Sequence, residues 1–300
     1  MAKPPPSEAK RRETRWAIFF IAPITLQFVI FAVVPLVIAI AASFTDWNLL
    51  SGNISFVGLY NFTTFLTDGK FWKAVGNTIY MLLPIPFYLA FGVLFALGCH
   101  HNTPGNKIFR VLFFLPYVSS IVAVVALWKW LFNSRYGLVN QGLYAVFGIE
   151  GPDWLGDPEW IKRTIVIMIV WKMIGITSIY ILATMKNIPD SYYEAARLDG
   201  ASPVRQFFSI TLPMLTPILF FLIIVGLIGS LQTFVEVQLF TSDGGRDYSA
   251  GTVTYYIWQN AFGTSEMGYA SAVAVFFGLA ILALTLIQNR VSRHWVYEGE

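Results

Sequence analysis

The sequence has few charged residues and almost no cysteine. Only 12% of the 300 residues are charged, about half the fraction of an ordinary soluble domain, whereas 56% are hydrophobic. The single cysteine, Cys99, excludes an intrachain disulfide, and no metal-ligand spacing surrounds it. Basic residues occur in short segments between apolar runs, which argues against a nucleic-acid-binding face despite a net charge of +3. This composition predicts a membrane protein with no metal site.

Motifs for nucleotide hydrolysis and for common hydrolase chemistry are also missing. The sequence contains no Gly-x-x-x-x-Gly-Lys-Ser/Thr phosphate loop, no His-Glu-x-x-His and no Gly-x-Ser-x-Gly. An intramembrane enzyme, which would need catalytic polar groups inside the spans, is therefore a weak alternative. If ATP is hydrolysed, a separate protein has to do it.

Six apolar stretches are long enough to cross a bilayer core of roughly 30 Å as helices of about 20 residues. They are residues 16–44, 74–98, 111–132, 164–185, 214–240 and 269–289. Runs of this length without strict polar alternation favour helices over barrel strands. We expect an all-α integral membrane protein with an N-terminal tail at 1–15, a transmembrane domain at 16–289 and a tail at 290–300.

The first stretch could also be read as a cleaved signal sequence, since a basic segment precedes it and Ala39 and Ala41 are spaced as at a signal-peptidase site. Its apolar length is about twice the usual 7 to 15 residues of such a signal. We therefore expect a retained first span.

The distribution of Lys and Arg predicts the orientation. Twelve of them fall in the two tails and in the connections 99–110 and 186–213, against six in the alternate connections 45–73, 133–163 and 241–268. Because Lys and Arg concentrate on the cytoplasmic side, both termini and the 186–213 connection should be cytoplasmic. The alternate connections are rich in Trp and Tyr, which fits either interfacial anchoring or docking of an extracytoplasmic partner.

Several predicted spans contain proline. A proline inside a membrane helix produces a static kink, and the same bend could serve a moving pathway. These prolines are Pro35, Pro84, Pro86, Pro116 and Pro217.

The connection at 186–213 is far longer than an ordinary turn between helices. Pro189 suits a first helical position, and Ser191 and Glu194 have the spacing of a capping box, so a short helix should begin here. Gly200 can end it in a left-handed conformation, and Pro203 can open a second short helix.

A helix of about three turns is not stable alone in water, so this one should pack against another protein. The adjacent Ala195 and Ala196 allow close backbone approach, while Tyr192, Tyr193 and Leu198 add apolar area. A groove on a cytoplasmic partner is the expected binding surface.

The same segment resembles a known family. Glu194-Ala195-Ala196, three residues, Gly200, nine residues and Ile210-Thr211-Leu212-Pro213 match the EAA loop of binding-protein-dependent ABC importer permeases. Further motifs resemble the sugar-uptake branch, the maltose and glycerol-3-phosphate permease class. They are SFTDWN at 43–48, FVGLYNF at 56–62, FFLPYV at 113–118, WLGDP at 154–158 and GYASA at 268–272.

The resemblance implies that the EAA loop forms coupling helices seated in a cleft of an ATPase subunit. It assigns ATPase coupling to Glu194, Ala195, Ala196 and Gly200, with Tyr193 and Leu198 beside them. An alternative for Glu194 is that it only caps its own helix through Ser191.

The resemblance also implies a set of partners. They are a homologous second permease, a cytoplasmic ATPase dimer that binds ATP and Mg²⁺, an extracytoplasmic solute-binding protein, a carbohydrate and the lipid of a bacterial inner membrane. No cofactor is expected on this chain itself.

Candidates for the solute pathway come from ionisable and polar residues inside the spans, where a charge costs at least about 2.5 to 3.5 kcal/mol. Lys172 lies deepest, and Glu236 is expected at a comparable depth, so the two could pair, line a cavity together or form a structural ion pair. Gln232 should share a helical face with Glu236. Gln232 and Asn77 could both bind sugar hydroxyls.

One segment departs from the family pattern. Residues 241–251 read TSDGGRDYSAG where relatives usually carry a Gly-Gly-Pro turn, so contacts of this loop are not carried over. A passive channel or ion-coupled carrier remains a rival, although it would have little use for a structured EAA loop. The sequence does not identify the solute.

Overall fold

The computed structural model describes residues 8–52, 54–100 and 105–292, and these ranges are predominantly helical. Fifteen α-helices are found in the described ranges. In chain order they are α1 Glu8–Phe28, α2 Val34–Ala42, α3 Tyr60–Thr67, α4 Gly69–Tyr80, α5 Pro84–His100, α6 Asn106–Val118, α7 Ile121–Leu131, α8 Leu138–Phe147, α9 Trp160–Met185, α10 Asp190–Leu198, α11 Pro203–Gln206, α12 Leu212–Leu231, α13 Val235–Phe240, α14 Val253–Trp258 and α15 Met267–Ser292.

Five helical segments of the described chain are long and apolar enough to cross a membrane. They are Arg12–Ala42, Gly69–His100, Trp160–Met185, Pro203–Leu231 and Met267–Val291. A sixth crossing is obtained if α6 and α7, which meet at a bend of 99°, form one broken span. The all-helical membrane architecture with five or six spans is thus confirmed.

Two of the expected spans are not continuous helices. The stretch 111–132 is interrupted at Ser119 and Ser120, whose ψ angles of 144° and 131° are extended, three residues beyond Pro116. The stretch 214–240 ends as a helix at Leu231, and Phe234 adopts φ −134° and ψ −55° before α13 begins. Pro217 lies inside α12 without ending it.

Two π-helical segments precede a proline by one residue. Residues Val29–Val33 lie before Val34-Pro35, and Phe207–Thr211 lie before Leu212-Pro213. In each case the residue before the proline donates to a carbonyl five residues back, Val34 to Val29 and Leu212 to Phe207. Proline lacks an N–H and clashes with the carbonyl four residues back, so the wider turn removes that clash.

The described chain falls into two compact units. The first comprises the described residues up to Phe65 together with Gln259–Phe276. Three of the motifs noted in the sequence meet in this unit. Asn61, from FVGLYNF, is buried and donates to the carbonyls of Ser43 and Thr45 in SFTDWN, at 3.0 and 2.8 Å. Gly268, from GYASA, donates its N–H to the Trp47 carbonyl at 2.9 Å.

The second unit comprises the described residues of Leu66–Trp258 and those from Phe277 to Ser292, and helices of this unit pack closely. Its buried cluster draws on α5, α9 and α12 and comprises Ala96, Cys99, Ile181, Leu182, Met185, Leu215 and Leu222. Glycines allow these helices to approach. A Cβ added at Gly175 of α9 would lie 1.9 Å from the Phe113 carbonyl oxygen of α6. One added at Gly226 of α12 would lie 1.9 Å from the Tyr88 hydroxyl of α5.

We expect Gly175→Ala to destabilise the helix bundle by about 1 to 3 kcal/mol, because a backbone carbonyl cannot rotate out of the way as a flexible side chain can. The control is Gly98→Ala in α5, where an added Cβ meets nothing within 4 Å. Thermal unfolding of the purified protein in detergent measures both variants. An unfolding temperature for Gly175→Ala equal to that of the control would contradict this contact.

Candidate functional site

Helix α10 is defined by its ends. Pro189 is the N-cap, with φ −62° and ψ 134°, and Asp190 places a carboxylate in the first turn, where the helix dipole favours it. At the other end, Gly200 adopts φ +74°. The Gly200 N–H donates to the Arg197 carbonyl at 3.0 Å and the Ala201 N–H to the Ala196 carbonyl at 2.9 Å, which is the Schellman pattern. The predicted end of the helix at Gly200 is confirmed.

The predicted start was wrong in detail. Pro189 is the N-cap and not the first helical residue, and no side chain caps this end. Ser191 therefore lies within the first turn, two positions after the N-cap, and cannot form a capping box with Glu194. The alternative role for Glu194, capping its own helix through Ser191, is not supported.

The surface of α10 is open. None of its side chains is buried, and Leu198 is 90% exposed. Glu194 and Ala195 are exposed, whereas Tyr193 and Ala196 are half-buried. An exposed leucine on a nine-residue helix, next to a small-residue surface, is the arrangement expected of a helix that another protein covers.

The connection from α10 to α11 is held by polar contacts. Ser202 caps α11 by accepting the Arg205 N–H at 3.4 Å, and Pro203 occupies the first turn as predicted. The Gln206 side chain donates to the Ala201 carbonyl at 2.8 Å. The Ser202 cap and the Gln206 hydrogen bond give the 186–213 connection a defined shape, although few of its residues are buried.

Replacing Gly200 should loosen α10. A residue with a Cβ costs about 1 to 2 kcal/mol in the left-handed region, whereas Asn adopts it more readily. We expect Gly200→Ala to speed tryptic cleavage after Arg197 by about tenfold, and Gly200→Asn to have a smaller effect. Peptide mass spectrometry over time measures the rates. Equal cleavage in wild type and both variants would show that this cap does not limit unfolding of α10.

Lys172 lies near the middle of the 26-residue helix α9, about 18 Å from its first residue. Its side chain is half-buried. In the part of the chain that the structure describes, neither a hydrogen bond nor an ion pair within 4 Å involves it. A lysine at this depth requires charge or solvent from outside the described chain.

The expected pairing of Lys172 with Glu236 is not found, since the one ion pair among the described residues joins Arg163 and Glu159 at 3.6 Å. Gln232 and Glu236 do not share a helical face either, because α12 ends at Leu231 and α13 starts at Val235. Glu236 lies in the first turn of α13, where a carboxylate is favourable.

Asn77 is buried and forms hydrogen bonds that hold a loop in place. Its side chain is 3% exposed and donates to the carbonyls of Tyr248 and Gly251 at 2.8 and 3.0 Å. Its amide oxygen accepts from the Lys162 ammonium at 3.2 Å. With both amide hydrogens used, Asn77 fixes the 248–251 segment instead of presenting donors to a solute.

Threonines near this segment were missed by sequence reasoning. Thr252 donates to the Thr233 carbonyl at 2.6 Å and Thr254 to the Leu231 carbonyl at 3.3 Å, so they satisfy backbone groups freed where α12 ends. Thr78 accepts the Val253 N–H at 2.9 Å. The packing also buries Tyr248, which raises the pKa of its hydroxyl. Single hydroxyls after a Gly-rich turn carry no sequence signal of this role.

We expect Asn77→Ala to lower stability by about 1 to 3 kcal/mol, because it leaves two buried carbonyls and the Lys162 ammonium without this partner. Gln232→Ala is the control, since that side chain is exposed. Unfolding temperatures of both purified variants provide the measurement. A stable Asn77→Ala protein would contradict the structural assignment.

Comparison with protein families gives a match over residues 88–297, more than two-thirds of the chain, to the binding-protein-dependent transport system inner membrane component. The chain is 34% identical to the probable ABC transporter permease protein YesP of Bacillus subtilis strain 168, over 97% of this chain and 94% of that protein. It is 32% identical to the sulfoquinovosyl glycerol transport system permease protein SmoG of Agrobacterium fabrum, over 94% of each.

Solved structures give a similar fold. The fold matches a chain of the bacterial alginate ABC transporter in complex with an alginate pentasaccharide-bound periplasmic protein, with a TM-score of 0.84 and 24% identity. This match covers 97% of the chain described here and 99% of the other.

Proposed function

Because the chain belongs to the family of binding-protein-dependent transport system inner membrane components, we propose that it forms half of the solute pathway of a carbohydrate importer driven by a separate ATPase. Membership makes it the permease subunit of a bacterial ABC importer, a non-catalytic multi-pass protein of the inner membrane. The proposal concerns the solute, the partners and the residues that meet them.

The observation that carries the ATPase partner is the open surface of α10. A nine-residue helix with a Schellman turn at its end, no buried side chain and a 90% exposed leucine presents a surface that another protein can cover. Glu194, Ala195 and Leu198 are accessible for this contact, while Gly200 stops the helix. ATP and Mg²⁺ would be bound by the partner, since this chain has no phosphate loop.

The orientation follows from the same assignment. Docking of α10 on a cytoplasmic ATPase requires that the 186–213 connection face the cytoplasm, and with α6 and α7 as one broken span both termini lie on the same side. The distribution of Lys and Arg agrees with this orientation. The opposite connections would then receive a solute-binding protein.

A carbohydrate as the solute is supported by the relatives. SmoG is named for sulfoquinovosyl glycerol, and a permease of Rhizobium radiobacter that is 34% identical is named for lactose. Aromatic residues, 17% of the chain, suit stacking on sugar rings.

Half a pathway requires a second permease, a homologous chain in this proposal. Lys172, half-buried in the middle of α9 and without a partner among the described residues, supports it, because a second subunit would supply either a carboxylate or a water-filled cavity. Glu236 and Gln232 remain candidates for contact with the solute at the end of α12, and lipid would cover apolar side chains of the spans that no other subunit contacts.

Co-purification tests the ATPase assignment. We expect a tagged wild-type chain to retain the ATPase subunit encoded with it, and the double replacement Glu194→Ala, Gly200→Val to lose at least about 90% of it, because the exposed contact and the helix stop are both removed. Glu150→Ala removes an exposed carboxylate elsewhere and should retain the ATPase. If the double variant held the ATPase as firmly as the control, α10 would not be the docking element. A passive channel would show no such subunit in any preparation.

Lys172→Met tests the pathway. We expect proteoliposomes with this variant to lose uptake of a labelled disaccharide that the wild type transports by about tenfold or more, with assembly intact, because the charge near mid-membrane is removed. Lys186→Met, an exposed lysine at the end of α9, is the control. Unchanged uptake by Lys172→Met would remove Lys172 from the pathway.

A further inference from the structure

Helix α10 has one side-chain hydrogen bond to another element among the described residues. The Tyr193 hydroxyl lies 2.9 Å from the Thr211 hydroxyl, eighteen positions further along the chain. The Arg197 guanidinium, by contrast, donates back to the Tyr193 carbonyl within the same helix, at 3.2 Å. The side-chain hydrogen bond between α10 and the segment that leads into α12 therefore depends on two hydroxyls.

The two neighbouring tyrosines of α10 have different surroundings. Tyr192 is 51% exposed, whereas Tyr193 is half-buried and turned toward the bundle. Thr211, at the other end of the bond, is only 4% exposed. Tyr193 was predicted to add apolar area for the ATPase, but its hydroxyl instead contacts this chain.

Thr211 occupies a distinctive place in the span. It is the last residue of the π-helical segment Phe207–Thr211, and α12 begins directly after it. The segment has a wider turn than an α-helix because Pro213 cannot donate an N–H. Single π-helical turns inside α-helices are often found at functional sites, and Thr211 lies where this turn joins α12.

A cavity adjoins the Tyr193–Thr211 hydrogen bond. A cavity of about 570 Å³ lies between α10, α11 and the ends of α5 and α9, and Leu97, Met185, Gln206 and Phe207 contribute to its walls. Tyr193 and Thr211 also line it. Because α10 is not packed tightly against the bundle here, its displacement is not transmitted by close-packed side chains alone.

We propose that the Tyr193–Thr211 hydroxyl pair is the positioning contact through which a displacement of α10 reaches the span that begins at α11 and runs through α12. This inference rests on the proposed docking of α10 on an ATPase. It adds that Tyr193 acts on the permease side of α10 and not on the ATPase side.

The test follows movement without needing the solute. In a Cys99→Ala background, which removes the only cysteine of this chain, the single replacements Asp199→Cys and Gly229→Cys each carry a bimane fluorophore. Asp199 is the exposed C-cap residue of α10 and is not among the residues assigned to the ATPase contact. Gly229 lies near the far end of α12, exposed and with no heavy atom within 4 Å of an added Cβ. The complex with its ATPase is placed in nanodiscs, and emission is compared before and after trapping with MgATP and orthovanadate.

We expect the trapped nucleotide to change emission at both positions in the wild type. Tyr193→Phe should keep the change at position 199 but lose most of the change at position 229, because the hydrogen bond that carries the displacement is removed. Tyr192→Phe, the matched control, should behave as wild type. Thr211→Val should reproduce Tyr193→Phe, Thr211→Ser should restore the response, and the double variant should be no worse than either single one.

The outcomes distinguish a failure of the proposed docking of α10 from a failure of the proposed role of the Tyr193–Thr211 pair. No change at position 199 in the otherwise wild-type chain would overturn the docking of α10, and with it this inference. A full response at position 229 in Tyr193→Phe, with position 199 responding normally, would overturn the inference alone. An equal loss in Tyr192→Phe would also overturn it, because the effect would not depend on the Thr211 bond.

Discussion

Main-chain N–H and C=O groups inside a bilayer need partners within the protein, and this constraint explains most of the second unit. Where the helices continue, the main-chain N–H and C=O groups form hydrogen bonds within the helix. Where α12 ends at Leu231, hydroxyls of Thr252 and Thr254 supply the missing donors. Asn77 holds residues 248–251, which directly precede these threonines. The loop between α13 and α14 is therefore part of the hydrogen-bond network of the span.

The same constraint does not apply to α10, since it lies outside the candidate spans. Water can satisfy its exposed groups, so the helix can leave a whole surface uncovered as long as its ends are capped. Pro189, the Schellman turn at Gly200 and the Ser202 cap of α11 provide that local order. An ordered but uncovered helix is suited to bind another subunit without first having to fold.

Glycine and proline act in different ways in the spans. Gly175 and Gly226 allow a backbone or a tyrosine hydroxyl from a neighbouring helix to approach. Pro35 and Pro213 instead widen the preceding turn into a π-helical segment. Pro116 and Pro217 lie inside helices that continue past them, so a proline in a span does not by itself locate a break.

Local residues were sufficient to predict the end of α10 at Gly200 and the start of α11 at Pro203, because left-handed glycine and N-terminal proline act within one turn. The predicted capping box was wrong, since the N-cap is Pro189, with an extended ψ, and the helix starts two residues earlier than an N-cap at Ser191 would allow. The prediction that Gln232 and Glu236 share a helical face was also wrong. It assumed a continuous helix, and the break after Leu231 depends on contacts from residues 252 and 254.

The sequence by itself determined the membrane class, the approximate positions of the spans, the absence of a phosphate loop and the EAA segment, because hydropathy and short-range helix signals are local properties. Only the tertiary structure decided that Asn77 serves a loop, that Lys172 has no partner among the described residues, and that Tyr193 faces Thr211. Those facts depend on which side chains of distant segments meet, and spacing along the chain does not encode them.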